Sequence, residues 1–195
     1  MEVTVTSTSL QTWLGARAKK LDEIEAAHSA VGGTAQGRRW ATEQVNHAYA
    51  MLLNAQFQGF CRDLHSECAG HLVRSVTPSA VQAVVHADLL RDRRLDRGNP
   101  TPASLGADFN RLGLDFWLQV KVLHARNAQR LQRLAELSEW RNAIAHQDFD
   151  PGSLVPKRLH LGTIRSWRGI CGALASSFDR VMRSYLSTAT GSSPW

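Results

Sequence analysis

The stretch from Val45 to Leu72 reads VNHAYAMLLNAQFQGFCRDLHSECAGHL, and its spacing decides the fold. Val45, Tyr49, Leu52, Leu53, Phe57, Phe60, Leu64 and Leu72 recur at helical intervals. This pattern predicts one long helix from about Arg39 to Ser75. Upstream, Leu10, Trp13, Leu14, Leu21 and Ile24 form an apolar stripe beside Arg17, Lys19 and Lys20. They predict a first helix from Ser9 to Ala30, ended by Gly32-Gly33.

Downstream, Thr77-Pro78 closes the long helix and opens a third, because proline suits a first helical turn. That helix carries Val81, Val84, Val85, Leu89 and Leu90 and finishes in Arg91-Asp92-Arg93-Arg94-Leu95-Asp96-Arg97, whose mixed signs read as a solvated face. Gly98-Asn99-Pro100-Thr101-Pro102 reads as a loop and Ala103 to Leu112 as a short helix before Gly113. Trp117 to Ala145 reads as one long helix with Val120, Leu123, Leu131, Leu134 and Leu137 on its apolar side. Asp148-Phe149-Asp150-Pro151-Gly152 is a stop. A last helix, Leu161 to Leu186, presents Ile164, Trp167, Ile170, Leu174, Phe178, Val181 and Tyr185, and Gly191 to Trp195 reads as part of a frayed tail. No alternating β-branched run interrupts these elements, so the fold class is all-α.

A chain of 195 residues suits one domain, with its core over about residues 10–188 and a tail at 189–195. The net charge of +6 comes with far more arginine than lysine, which favours bidentate contacts to phosphate and an anionic partner. Cys61, Cys68 and Cys171 are odd in number and form no spaced framework, as expected in a reducing compartment. Met1 to Thr6 lacks the charged and apolar blocks of a signal peptide. No apolar run approaches the roughly 20 residues that cross a bilayer. The expected location is cytoplasmic, with no membrane partner.

The informative stretch for chemistry is Ser138-Glu139-Trp140-Arg141-Asn142-Ala143-Ile144-Ala145-His146-Gln147-Asp148-Phe149. Spacing alone carries nothing: with 19 arginines and 8 histidines in the chain, chance yields roughly 0.8 pairs at this separation. Context gives it weight. A polar Asn142 follows the arginine, small and apolar residues fill the gap, and the histidine falls where a long helix meets a Pro-Gly stop.

This arrangement resembles the R-N-x-x-x-H signature of the HEPN superfamily. The segment Phe57-Gln58-Gly59-Phe60-Cys61-Arg62-Asp63-Leu64, the Gly98-Asn99-Pro100 loop leading to Phe109-Asn110-Arg111-Leu112-Gly113-Leu114-Asp115, and a final helix with Trp167 are similar in placement. The resemblance spans about residues 10–188. It implies an HEPN-like bundle of five to six helices that forms a homodimer, two copies of the motif lining a shared cleft, and RNA cleavage without metal or cofactor. Many such proteins are toxins of toxin–antitoxin pairs or phage-defence effectors, so a cognate antitoxin is a possible partner. Others have lost catalysis and bind RNA, nucleotide or a protein partner through the same cleft, which is the alternative reading. In one variant of the pattern a tyrosine two residues after the histidine is modified by a partner enzyme; here that place is Asp148, which argues against such control.

The residue chemistry fits a ribonuclease. RNA carries its own nucleophile, the 2′-OH, so an enzyme need only move protons and stabilise charge on the phosphoryl oxygens. An imidazole side chain can give or take a proton, so His146 can do the first, Arg141 can do the second, and Asn142 can hold either the histidine or the phosphate. Five residues along an unbroken helix turn through about 140° and rise about 7.5 Å, so Arg141 and His146 would not share a face. Either the helix ends near Ala145 and His146 swings back, or each active centre draws on both subunits.

Other constellations compete. Cys61, His65 and Cys68 lie at i, i+4 and i+7 with His71 a turn further, which are metal-ligand types on one helix face. The same spacing also describes a packed face, the preferred reading. Trp13, Trp40, Trp117, Trp140 and Trp167 read as core or dimer contacts rather than base-stacking platforms. His28, His47, His86, His124 and His160 have no convincing partner in sequence.

Overall fold

The computed structural model describes residues 5–32, 39–149, 154 and 158–195. Within them the chain is all-helical, with no strand. Gly33 and the Asp150-Pro151-Gly152 stop lie outside the described residues. Among the described residues no helix is long and apolar enough to cross a membrane.

The chain enters through α1 (Thr8–Thr12), a π-helical turn (Trp13–Arg17) and α2 (Ala18–Gly32). α3 (Arg39–Arg74) follows and packs against α1, α2, α4, α8 and α9. At about 1.5 Å per residue it is the longest rod in the structure. Tyr49, Leu53, Phe57, Phe60, Leu64 and Cys68 are fully buried on it, because neighbours cover it on several sides rather than along one stripe. After α4 (Gln82–Leu90), α5 (Arg94–Arg97) and α6 (Pro102–Asn110) come α7 (Phe116–Leu123), α8 (Asn127–His146) and α9 (Leu161–Thr190). The core is aromatic at its centre. Phe109 stacks on Phe116 at 4.3 Å, and Phe178 meets Phe57, Phe109, Phe116 and Trp117 within about 6.2 Å.

Four expectations are corrected. The helix predicted from Trp117 to Ala145 is two helices, α7 and α8, parted at His124-Ala125-Arg126. Asn127 is the cause. Its buried Nδ2 donates to the Val120 carbonyl at 2.7 Å, an acceptor that a continuing helix would give to His124. His124 is then free to turn extended, and its Nδ1 accepts from the Arg126 amide at 3.1 Å. Asn127 Oδ1 is satisfied in turn by Arg130 and Ser177. The helix breaks because a polar side chain buried at the junction needs a backbone partner.

Likewise, α4 stops at Leu90 and the charged run folds separately as α5. Asp108, itself buried, accepts the Arg94 and Leu95 amides at 3.0 and 2.8 Å and so caps α5, while Leu95 turns into the core. Pro102 opens α6 instead of closing a loop, with Thr101 as its N-cap. Finally, α9 runs to Thr190, and Trp195 packs against the core rather than fraying. These breaks give the described residues more helical segments than the five to six expected. Among the tryptophans, Trp13, Trp140 and Trp167 are core, but Trp40 is 74% exposed.

Candidate active site

α8 buries Leu134, Leu137, Trp140, Ala143 and Ile144, which fixes the opposite side as the outer one. Asn142, Ala145 and His146 are exposed there and Arg141 lies half-buried at its edge. The helix stops just after His146. Gln147 adopts left-handed backbone angles (φ 53°, ψ 31°), its amide donates to the Ile144 carbonyl at 3.4 Å, and the Asp148 amide donates to Ala143 at 3.0 Å. This 6→1 and 5→2 pairing is a Schellman stop. Gln147 Nε2 adds a bond to the Ile144 carbonyl at 2.8 Å.

The helix therefore continues through His146 instead of ending near Ala145, and the alternative in which His146 swings back to Arg141 is not the geometry observed. Asn142 and His146, four residues apart, share a face within about 40°, whereas Arg141 is turned about 140° from His146. Among the described residues Arg141 and Asn142 are joined by a hydrogen bond, and none joins His146 to either.

Asn142 holds a junction that spacing did not reveal. Its Oδ1 accepts from Arg141 Nη1 at 3.4 Å and from Asn99 Nδ2. Asn99 lies in the loop between α5 and α6, and Gln58 of α3 anchors that loop by donating to the Leu95 and Gly98 carbonyls at 2.6 and 2.7 Å. The Asn142 amide is thus turned toward the arginine rather than the histidine. Gln58 and Asn99 are part of the resemblance by placement, but the pairing of Asn99 with Asn142 across 43 residues is a tertiary fact.

On the other flank, the His47 ring of α3 stacks on Phe149 at 5.3 Å and 18° and lies 6.4 Å from Trp140. Burial holds the His47 imidazole below its ordinary pKa, with the Glu43 charge opposing. Next to His47, a pocket of about 250 Å³ opens between α3 and the segment entering α9, lined by Thr42, Glu43, Asn46, Arg158, Leu159 and His160.

The rival metal constellation lies inside the core. Cys61, His65 and Cys68 are fully buried, and burial pushes both thiols well up from their ordinary pKa. His65 Nε2 is bonded to the Asp108 carbonyl at 3.0 Å and its ring meets Phe109 edge-on at 5.4 Å. Among the described residues no group of three or more His, Cys, Asp or Glu side chains is arranged to hold a metal ion.

No protein-family model matches the chain, and neither a curated protein nor a solved structure matches it. The weight of a functional reading falls on the geometry of these residues.

Proposed function

We propose that the chain is a metal-independent endoribonuclease whose active centre is completed by a second copy, with Arg141, Asn142 and His146 as its working residues. The observation that carries the reading is the exposure of His146 at the end of an unbroken α8, turned away from a half-buried Arg141 that Asn142 and Asn99 hold in place. One subunit offers each half of the chemistry on a different side. Two subunits facing across the α8 ends would bring His146 of one toward Arg141 of the other. There His146 takes the 2′-OH proton, the 2′-oxygen attacks the adjacent phosphorus, and Arg141 neutralises the charge gathering on the phosphoryl oxygens. The 5′-oxygen leaves with a proton and a 2′,3′-cyclic phosphate remains. The net charge of +6 favours the polyanionic substrate. By its HEPN-like motif the chain belongs with toxins or phage-defence effectors, where an antitoxin would act by binding.

The test is RNA cleavage in excess chelator by the wild type, Arg141→Ala, His146→Ala and an equimolar refolded mixture of the two variants. Each variant alone is expected to be inactive. The mixture regains up to roughly a quarter of wild-type activity, because half its dimers carry one intact centre of two. Activity retained by either single variant would overturn the assignment, and an inactive mixture would overturn the shared centre. Dead wild type with intact RNA binding would favour the non-catalytic dimer.

A further inference from the structure

The pocket beside His47 takes no part in the Arg141 and His146 chemistry. Its inner wall is Asn46, which is buried, with Nδ2 donating to the Leu159 carbonyl at 2.9 Å. The Oδ1 of the same amide is buried with no hydrogen-bond partner among the described residues. Buried acceptors are nearly always paired in folded proteins, so this oxygen marks a place where an N–H donor belongs. Three residues earlier on the same helix, Glu43 brings a half-buried carboxylate to the pocket, with no ion pair among the described residues. The opposite wall carries two exposed donors, Arg158 and His160. The pocket therefore has acceptors on its α3 wall and a cation facing them.

We propose that this pocket is a guanine subsite, holding the base of a nucleotide whose phosphate lies against Arg158 and His160. Among the four RNA bases, guanine alone offers two adjacent N–H donors, N1–H and N2–H, on one edge. The Glu43 carboxylate accepts both side by side, against the inner wall that Asn46 forms. Adenine and cytosine set an acceptor next to their amino group and would face the carboxylate with a lone pair, while uracil has one donor between two acceptors. Arg158 supplies a planar fork for a phosphate. At about 250 Å³ the space is below the roughly 300–1,000 Å³ of pockets for larger ligands and suits one base. Its location links it to the motif: His47, next to Asn46, stacks on Phe149, three residues beyond His146. A role in choosing the cleavage site rests on the nuclease reading above; binding of the base does not.

Calorimetric titration of the full chain with guanosine, adenosine and cytidine 3′-monophosphates tests it, since none of these can be cleaved. The guanine nucleotide is expected to bind about tenfold or more tighter than the others. Glu43→Gln removes that preference, and Arg158→Ala weakens all three alike. Equal affinities in the wild type, no binding at millimolar concentration, or a preference that survives Glu43→Gln would overturn the subsite. Thermal melts alongside show that the variants fold, and the wild-type comparison stands without them. Guanine binding in a protein that cuts no RNA would leave the subsite and remove the nuclease; cleavage with no guanine preference would do the reverse.

Discussion

The end of α8 and the middle of α3 hold the same kinds of side chain in opposite circumstances. Each offers a histidine with potential chemical partners one or two turns away: His146 with Asn142 and Arg141, His65 with Cys61 and Cys68. At the end of α8 the histidine is exposed, and its ring has no hydrogen-bond partner among the described residues. In α3 the imidazole is fully buried, bonded to a carbonyl from α6 and packed on Phe109. Chemistry needs a side chain that substrate can reach and a proton that can leave. Stability needs the reverse. The difference teaches that composition and spacing propose a site, and burial assigns its role.

The widest break in the comparison should come from removing each histidine in turn. Loss of His146 or Arg141 is expected to cut cleavage by about 10²–10⁴-fold, while unfolding free energy moves by no more than about 0.5 kcal/mol for the exposed His146 and about 1 kcal/mol for the half-buried Arg141. Chemical denaturation alongside the cleavage assay measures both. A variant at either position that lost stability as well as activity would place the pair in the structural class with His65.

His65 should show its role as acid sensitivity. Desolvation lowers its pKa from the usual 6.5 to about 4, with the Asp108 carbonyl opposing and Arg93 and Arg111 adding to the fall. The fold therefore favours the neutral ring: its contribution is complete above pH 6.5 and is lost as pH falls toward 4, up to about 3 kcal/mol. His65→Gln keeps a donor for the Asp108 carbonyl but cannot titrate. Its stability should change much less than that of the wild type between pH 6.5 and 4 in urea titrations; equal slopes would refute the assignment.

A smaller effect follows for the cysteines on the same face. Cys68→Ser places a hydroxyl where a thiol is fully buried, at a cost of about 1–3 kcal/mol. Chelator should leave the melting temperature of the wild type unchanged. A drop on chelation would return this face to the metal reading.

The long elements were legible because their apolar residues repeat: α3 follows the predicted span within a residue or so, and α9 extends beyond its predicted end only by the polar turn to Thr190. The break between α7 and α8 was not legible, since the apolar spacing of Val120, Leu123, Leu131 and Leu134 runs through it. What breaks the rod is Asn127, whose partners include Ser177 on a helix 50 residues away. Another long-range contact is equally hidden: Arg17, at the end of the π turn, reaches Asp63 at 2.6 Å across Gly59, where a Cβ would collide with the guanidinium. At the candidate site, Arg141, Asn142 and His146 stood out by local context, whereas Asn99 and Gln58 join it only when α3, the α5–α6 loop and α8 meet, and Glu43 and Asn46 line a pocket only against the segment entering α9. Trp40 shows the limit of residue-type reasoning. A tryptophan on a helix is usually core, but this one is in the first turn of α3, before the helices that bury the rest of the rod close around it.

The smallest effect concerns what fixes His146 in space. Gln147 holds a left-handed conformation (φ 53°) that costs a residue with a side chain about 1–2 kcal/mol, partly offset by its own bond to the Ile144 carbonyl. Glycine adopts these angles freely but has more freedom to lose on folding. Gln147→Gly should therefore raise stability only slightly, by about 0.5 kcal/mol, and leave cleavage intact because the Schellman bonds persist. Gln147→Val is the informative opposite. A β-branched side chain resists the left-handed region, so the last turn of α8 should loosen, lowering stability by about 1 kcal/mol and cleavage with it. If valine left both unchanged, the stop after His146 would not be what positions the imidazole, and the contrast with the rigidly held His65 would have to rest on exposure alone.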